Sequence, residues 1–328
     1  MTRIVCRQLA PTVGDLQANC AMSLSAITES VADGADVVVL PELVTSGYVF
    51  ASTEEAESAA IPLDHPLFQD WADAVAATSA VVVAGFAERA DGRLYNSAVL
   101  VDSGGVRAIY RKTHLWDREK LFFTPGPEFP PVVQTRVGRL ALLICYDLEF
   151  PELTRGVALA GADLIVVPTN WPKVPRPPGE RAPEVTIGMA AARVNRVAVA
   201  CCDRTGTERG QQWTEGSSII DENGWVVATA GSGVGTASAD LDLTLARDKT
   251  HTILGDAFGD RRPELYSTLA TPVSAAPATS TPGELHPLPR VEAATRGRPG
   301  HPGAPPLYDG AITAHAWAQT NQRQQPST

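Results

Sequence analysis

The stretch LALLICYDLEFPE (Leu140–Glu152) sets the reading of the whole chain. An apolar run leads straight into Cys145, and the chain then turns polar through Tyr146, Asp147 and Glu149. Pro151 and Glu152 stand where a helix would begin, and LTRGVALAGA continues at helical spacing. The pattern predicts a buried strand ending at a cysteine, a sharp turn, and a helix. Such a turn would lift the sulfur out of the sheet, beside free backbone N–H groups and the positive end of a helix dipole. Both favour a thiolate and both can hold a developing oxyanion. A single cysteine in an apolar run can equally be a small buried hydrophobe. The stretch alone leaves both readings open.

Outward from it, apolar segments alternate with helical ones. RIVCRQLAP reads as an opening strand, followed by an amphipathic helix from Asp15 to about Ala32. ADVVVLPE and SAVVVAGFAE are too apolar to face water on either side, and HPLFQDWADAVAATS between them is helical. LYNSAVLVDS and GVRAIYRK form a hairpin around Gly104-Gly105. After the central stretch come the strand DLIVVPTNW, the helix GERAPEVTIGMAAARVNR and the strand VAVACCD; EGSSIIDENGWVVATAG pairs through Asn223-Gly224, and GTASADLDL closes the series. Strands apolar on both faces need cover on both. Two sheets packed on each other with helices outside satisfy that requirement, an α/β fold in four layers.

The chain has 328 residues, 44% of them hydrophobic, enough for one large core. A formal net charge of −10 provides no basic footprint, so nucleic acid is not an expected partner. No apolar run reaches the roughly 18 residues of a membrane span. The five cysteines suggest no disulfide framework, which suits reduced thiols and a cytoplasmic setting. Residues 1–270 read as one domain. Residues 271–328, rich in Pro, Gly and Ala, read as a disordered tail.

Three ionisable residues fall at the ends of buried strands: Glu42, Lys112 and Cys145. A carboxylate can take the thiol proton, and an ammonium can stabilise the thiolate and then an oxyanion. Singly, each also has a plain structural reading: Glu42 as a turn cap, Lys112 as a surface residue ending a hairpin. The flanking residues bear on that choice. PELVTSGY (Pro41–Tyr48), YRKTHLWDREKLFFTPG (Tyr110–Gly126) and LLICYDLEFPE, in this order, resemble the nitrilase superfamily of carbon–nitrogen hydrolases. The resemblance spans residues 3–270 and takes in ARVNR, DRTGTE and RRPELY.

The resemblance implies an αββα sandwich and a homodimer or higher homo-oligomer. It implies Glu42, Lys112 and Cys145 as the catalytic set, with Glu119 as a second glutamate that orients the lysine and the substrate amide. Glu149 is an alternative acid, or a carboxylate complementing the helix N-terminus. His114 is implied to hold the lysine strand in place and not to act as a base. Tyr48, Trp116, Tyr146, Asn170 and Trp171 are expected to line the substrate pocket, beneath a proline-rich rim at residues 172–184.

Nitrilases proper carry Trp-Glu after the nucleophile; Tyr146-Asp147 resembles the amidase and carbamoylase branches instead. The expected reaction is hydrolysis of a small linear amide through a thioester, with no metal or organic cofactor. The alternatives are an N-carbamoyl amidase, a nitrilase, acyl transfer to an amine, and a non-catalytic binding protein of the same fold.

Overall fold

The computed structural model describes residues 1–270. The expected tail at 271–328 lies outside the described residues. One compact unit comprises Met1–Asp260. Beyond it, Pro263–Leu265 and Ser267–Ala270 form two short 3-10 turns.

The first sheet contains β1 (Thr2–Gln8), β2 (Val37–Val39), β3 (Val81–Ala90), β4 (Arg93–Asp102), β5 (Gly105–Arg111) and β14 (Gly235–Leu241), in the order β14-β1-β2-β3-β4-β5. The second contains β6 (Val132–Gln134), β7 (Arg139–Leu142), β8 (Leu164–Pro168), β9 (Ala198–Cys202), β12 (Ser218–Ile220) and β13 (Val226–Thr229), in the order β13-β12-β9-β8-β7-β6. Two small hairpins, β10 (Thr207–Glu208) with β11 (Gln211–Gln212) and β15 (Thr250–Thr252) with β16 (Gly255–Asp256), stand apart from the sheets.

The core of each sheet is parallel and the flanks are antiparallel. Helices α1 (Leu16–Ala32), α4 (Pro151–Leu159) and α5 (Pro183–Asn195) serve as crossovers between parallel neighbours, as a parallel pair requires. Between β2 and β3 the crossover holds α2 (Thr53–Ala59) and α3 (Leu67–Ala74).

Alternation along the strands assigns their faces. Ile4, Cys6, Val37, Val39, Val81 and Val83 pack inward against Leu140–Ile144, Val166 and Ala200 of the second sheet. Val5, Val38, Val82 and Ala84 point the other way, into a second core shared with Ile27 of α1 and Trp71 of α3. A strand such as Val37-Val38-Val39 is apolar at every position because both of its faces are covered. The protein is an αββα sandwich.

Three elements differ from the sequence reading. The strand before the nucleophile candidate stops at Leu142 and not at the cysteine; the turn that follows, Cys145–Glu149, is a 3-10 turn, and the helix begins at Pro151 as expected. The helical segment expected at His65–Ser79 is regular only over Leu67–Ala74. Helix α2 has no counterpart in the reading, although its start is a capping motif: Ser52 Oγ accepts from the Glu55 amide, and Glu55 Oε2 accepts from Ala51 N–H at 2.6 Å.

Candidate active site

Glu42 lies three residues beyond β2, and Lys112 lies one residue beyond β5. Because β2 runs parallel to β3, and β5 is antiparallel to β4 as β4 is to β3, both residues emerge at the same end of the first sheet. Cys145 lies three residues beyond β7. The Glu42 turn is joined to the second sheet by Asn170, whose Nδ2 donates to the Glu42 carbonyl at 2.8 Å. The chain is tightly fitted here. A Cβ on Gly85 would lie 2.5 Å from the Glu42 Cα, so only glycine lets β3 approach this turn.

Lys112 Nζ is fully buried and donates to Glu42 Oε1 and to Glu119 Oε1, each at 2.7 Å. Asn96 Nδ2 donates to the same Glu42 oxygen at 2.6 Å. Glu119 also accepts from the Tyr48 hydroxyl at 2.6 Å and from the Trp116 amide at 3.1 Å. Glu42 Oε2 is buried and has no partner. One ammonium thus serves two carboxylates, and one carboxylate oxygen is left free to accept.

Burial pushes the Glu119 carboxyl up; Lys112 opposes this and Glu42 adds to it, leaving it at about 7. Lys112 is disfavoured as a cation by burial, yet Glu119, Glu42 and Cys145 outweigh that and hold its pKa well above the ordinary lysine value. Burial raises the Cys145 thiol well above its ordinary value, and Glu42 raises it further, against Lys112. The Asn170 backbone N–H lowers it in part. The dipole of α4, expected to favour the thiolate, starts six residues away in the chain, and burial and the Glu42 charge act against that form.

Three residues beside these groups adopt positive φ without being glycine: Leu43 at 48°, Asp117 at 40° and Cys145 at 47°. Each such conformation costs about 1–3 kcal/mol and persists only where its surroundings enforce it. At Cys145 the enforcing group is Asp147. Its buried carboxylate accepts from the Ile144 amide at 3.2 Å, the Tyr110 hydroxyl at 2.9 Å and the His114 amide at 3.1 Å. It thereby ties the cysteine turn to the lysine segment. His114 contacts Asp147 through Nδ1 at 2.9 Å and stacks on Phe150 with ring centroids 3.6 Å apart, the bracing place expected of it.

A family model for carbon–nitrogen hydrolases matches residues 3–249. The chain belongs to the carbon–nitrogen hydrolase family. This carbon–nitrogen hydrolase is 36% identical over 272 residues to a nitrilase of Pyrococcus abyssi, covering 81% of this chain and 99% of that protein. It is 38% identical over 237 residues to an (R)-stereoselective amidase of Pseudomonas sp., covering 72% and 83%. Among solved structures it resembles a mutant amidase of Nesterenkonia sp. AN1 with acrylamide added at the active-site cysteine. The TM-score is 0.66 at 26% identity, over 82% of this chain and all of that one.

The hydrolase places its other sequence-predicted residues unevenly. Tyr48, Trp116 and Glu119 line a cavity of about 110 Å³ together with Phe122, Phe123 and Pro172. Trp116 is 39% exposed and meets Tyr146 edge-on at 4.7 Å, so the two form a wall at the surface. Trp171 is buried, its ring against Gly216 and its amide on Asp203 at 3.0 Å. Glu149 is exposed on the turn as a residue, and partial desolvation of its carboxylate, with the nearby Glu184, raises its pKa.

Sequence reasoning missed Asn96 as a Glu42 partner. The signal was there: a polar pair, Asn96-Ser97, inside the otherwise apolar stretch Leu94–Val101, every residue of which is buried. It also assigned no role to Asp203, Arg204 and Glu208, although they lie in the quoted DRTGTE segment.

Proposed function

We propose that the protein hydrolyses the C–N bond of small linear amides through a thioester on Cys145. The observation that carries the reading is one buried ammonium shared by two carboxylates next to a buried thiol, with Glu42 Oε2 left unpartnered. Burying three charged groups costs several kcal/mol each even after relaxation, roughly, and aliphatic residues of similar size would be no less stable. Such a cluster is kept for its chemistry.

Glu42 takes the thiol proton on Oε2, and the sulfur attacks the amide carbonyl. Lys112 stabilises the negative charge that develops, held in place by Glu42 and by Glu119. The protonated Glu42 passes its proton to the departing nitrogen, releasing ammonia or an amine. It then activates the water that cleaves the thioester. Tyr146-Asp147 after the cysteine supports an amide over a nitrile. Five free cysteines support work in the reducing cytoplasm. Assembly as a homodimer or larger homo-oligomer is carried by the family resemblance.

The test is ammonia release from primary amides, N-carbamoyl amino acids and nitriles, with Cys145→Ala alongside. Amides are expected to turn over with the wild type and not with the variant. Turnover by Cys145→Ala, or release from nitriles without an amide product, would overturn the amidase reading.

A further inference from the structure

A chain of buried contacts reaches the site from the second half of the molecule. At the end of β10, Glu208 Oε2 accepts from the amides of Tyr48 at 2.9 Å and Val49 at 2.6 Å. Its other oxygen accepts from Arg204 Nη1 at 3.0 Å. Arg204 is 2% exposed and donates from Nη2 to the Pro11 carbonyl at 2.6 Å. Its guanidinium lies over the Trp213 ring at 4.5 Å, and Trp213 meets the Tyr48 ring edge-on at 5.5 Å. The ion pair therefore fixes both ends of Tyr48: the backbone directly and the ring through Trp213. The space is closed, since a Cβ on Gly47 would lie 2.7 Å from Glu208 Oε1. The Tyr48 hydroxyl then has one place to go, Glu119 Oε1 at 2.6 Å, the oxygen that also receives Lys112.

We propose that Arg204 and Glu208 are positioning residues for the reaction, holding the Tyr48 hydroxyl on Glu119 and so orienting the carboxylate that grips Lys112. Two features separate this from ordinary structural bracing. Two buried charges and two backbone donors converge on a loop that has no secondary structure of its own, immediately after Glu42. And the contact at the end of the chain falls on a catalytic-site carboxylate and not on a core side chain. Besides Tyr48, the charged or titratable groups acting on Glu119 are Lys112 and Glu42, and Glu119 acts in turn on Cys145.

The sign of the effect follows. The Tyr48 donor favours ionised Glu119 and lowers its pKa. Removing it raises that pKa, so an acidic limb of the activity profile moves to higher pH. The inference depends on the amidase reading for its activity readout, so a second readout independent of turnover is included: the pH dependence of Cys145 alkylation by iodoacetamide, mapped by mass spectrometry.

Tyr48→Phe is expected to lower kcat about tenfold, the worth of one hydrogen bond to a charged group. It should move the acidic limb up by about one pH unit. Glu208→Gln, nearly the same shape, should move the limb in the same direction, and the double variant should be no worse than Tyr48→Phe alone. Arg204→Lys, which keeps a cation but loses the fork, is the companion if Glu208→Gln does not fold. A limb that stays in place in a folded Glu208→Gln or Arg204→Lys variant, with losses that add in the double, would show plain structural support and overturn the proposal. If the wild type turns over no amide yet the alkylation limb shifts as described, the positioning chain stands and the amidase reading fails.

Discussion

Two buried carboxylates in this molecule are treated in opposite ways. Asp163, at the start of β8, accepts from Arg139 Nη2 at 2.9 Å, the Arg139 amide at 3.0 Å, and Arg247 Nε and Nη2 at 3.1 Å. Burial works against its charge, and the two arginines with the backbone amide outweigh it, holding the carboxyl at about 2. Glu119 is buried as well, but it shares a single lysine with Glu42, and its carboxyl sits at about 7. One site has two cations for one carboxylate; the other has one cation for two carboxylates and a thiol. The first arrangement finishes its electrostatics within the fold. The second leaves an imbalance that a substrate and a moving proton can resolve, which is how functional sites come to hold perturbed groups.

The contrast breaks first at the cation. Lys112→Ala strips the shared ammonium from two buried carboxylates, and Cys145→Ala removes the sulfur. Each is expected to reduce turnover to below about one thousandth of wild type. Steady-state kinetics on the best amide checks this, and residual activity of a few per cent in Cys145→Ala would remove that residue from its role.

Glu119→Gln sharpens it next. Turnover is expected to fall about a hundredfold, and any acidic limb near pH 7 should vanish with the titrating group. The wild-type protein is expected to carry a matching stability signature. A carboxyl raised from about 4.3 when unfolded to about 7 when folded binds its proton preferentially in the native state. Its contribution to stability therefore declines as pH rises through that window. Melting temperatures recorded from pH 5 to 8 should show this decline in wild type and lose it in Glu119→Gln; identical slopes would refute the assignment.

The smallest effect on activity belongs to the balanced site. Asp163→Asn is expected to destabilise the fold by about 2 kcal/mol near neutrality and leave kcat within about twofold of wild type. Asp163 is depressed when folded, so its stabilisation is present above the unfolded value of about 3.9 and is lost as pH falls towards 2. Urea titrations at pH 7 and pH 3 separate the two variants' curves from wild type in opposite measure, and a large kcat loss in Asp163→Asn would mean the two carboxylates are not as independent as their surroundings suggest.

How far the sequence could be read depends on the range of the interaction concerned. The strands Val37–Val39 and Val81–Ala90, the hairpin through Gly104-Gly105 and helices α1, α4 and α5 follow from periodicity and end signals, because neighbours in the chain carry those signals. The end of β7 at Leu142 did not follow, since Leu143 and Ile144 are as apolar as the strand before them. Ile144 keeps extended torsions, φ −129° and ψ 116°, and the Leu143 N–H still donates to the Val166 carbonyl of β8 at 3.0 Å, so both stay buried on the way into the turn. Glu42, Lys112 and Cys145 could be named from strand ends and their motifs, and Asn96 left a trace as a polar residue in an apolar strand.

By itself, then, the sequence determined the alternation of elements, the coverage each strand needs and the types of group available for chemistry. Only the tertiary structure decided that Lys112 divides its donors between Glu42 and Glu119, that Asp147 braces the strained cysteine, and that Arg204 and Glu208 hold Tyr48. These pairings join residues as many as 160 positions apart. Their strength comes from shared burial and a low local dielectric, which no run of neighbouring residues encodes and which exist only once the two sheets have closed on each other.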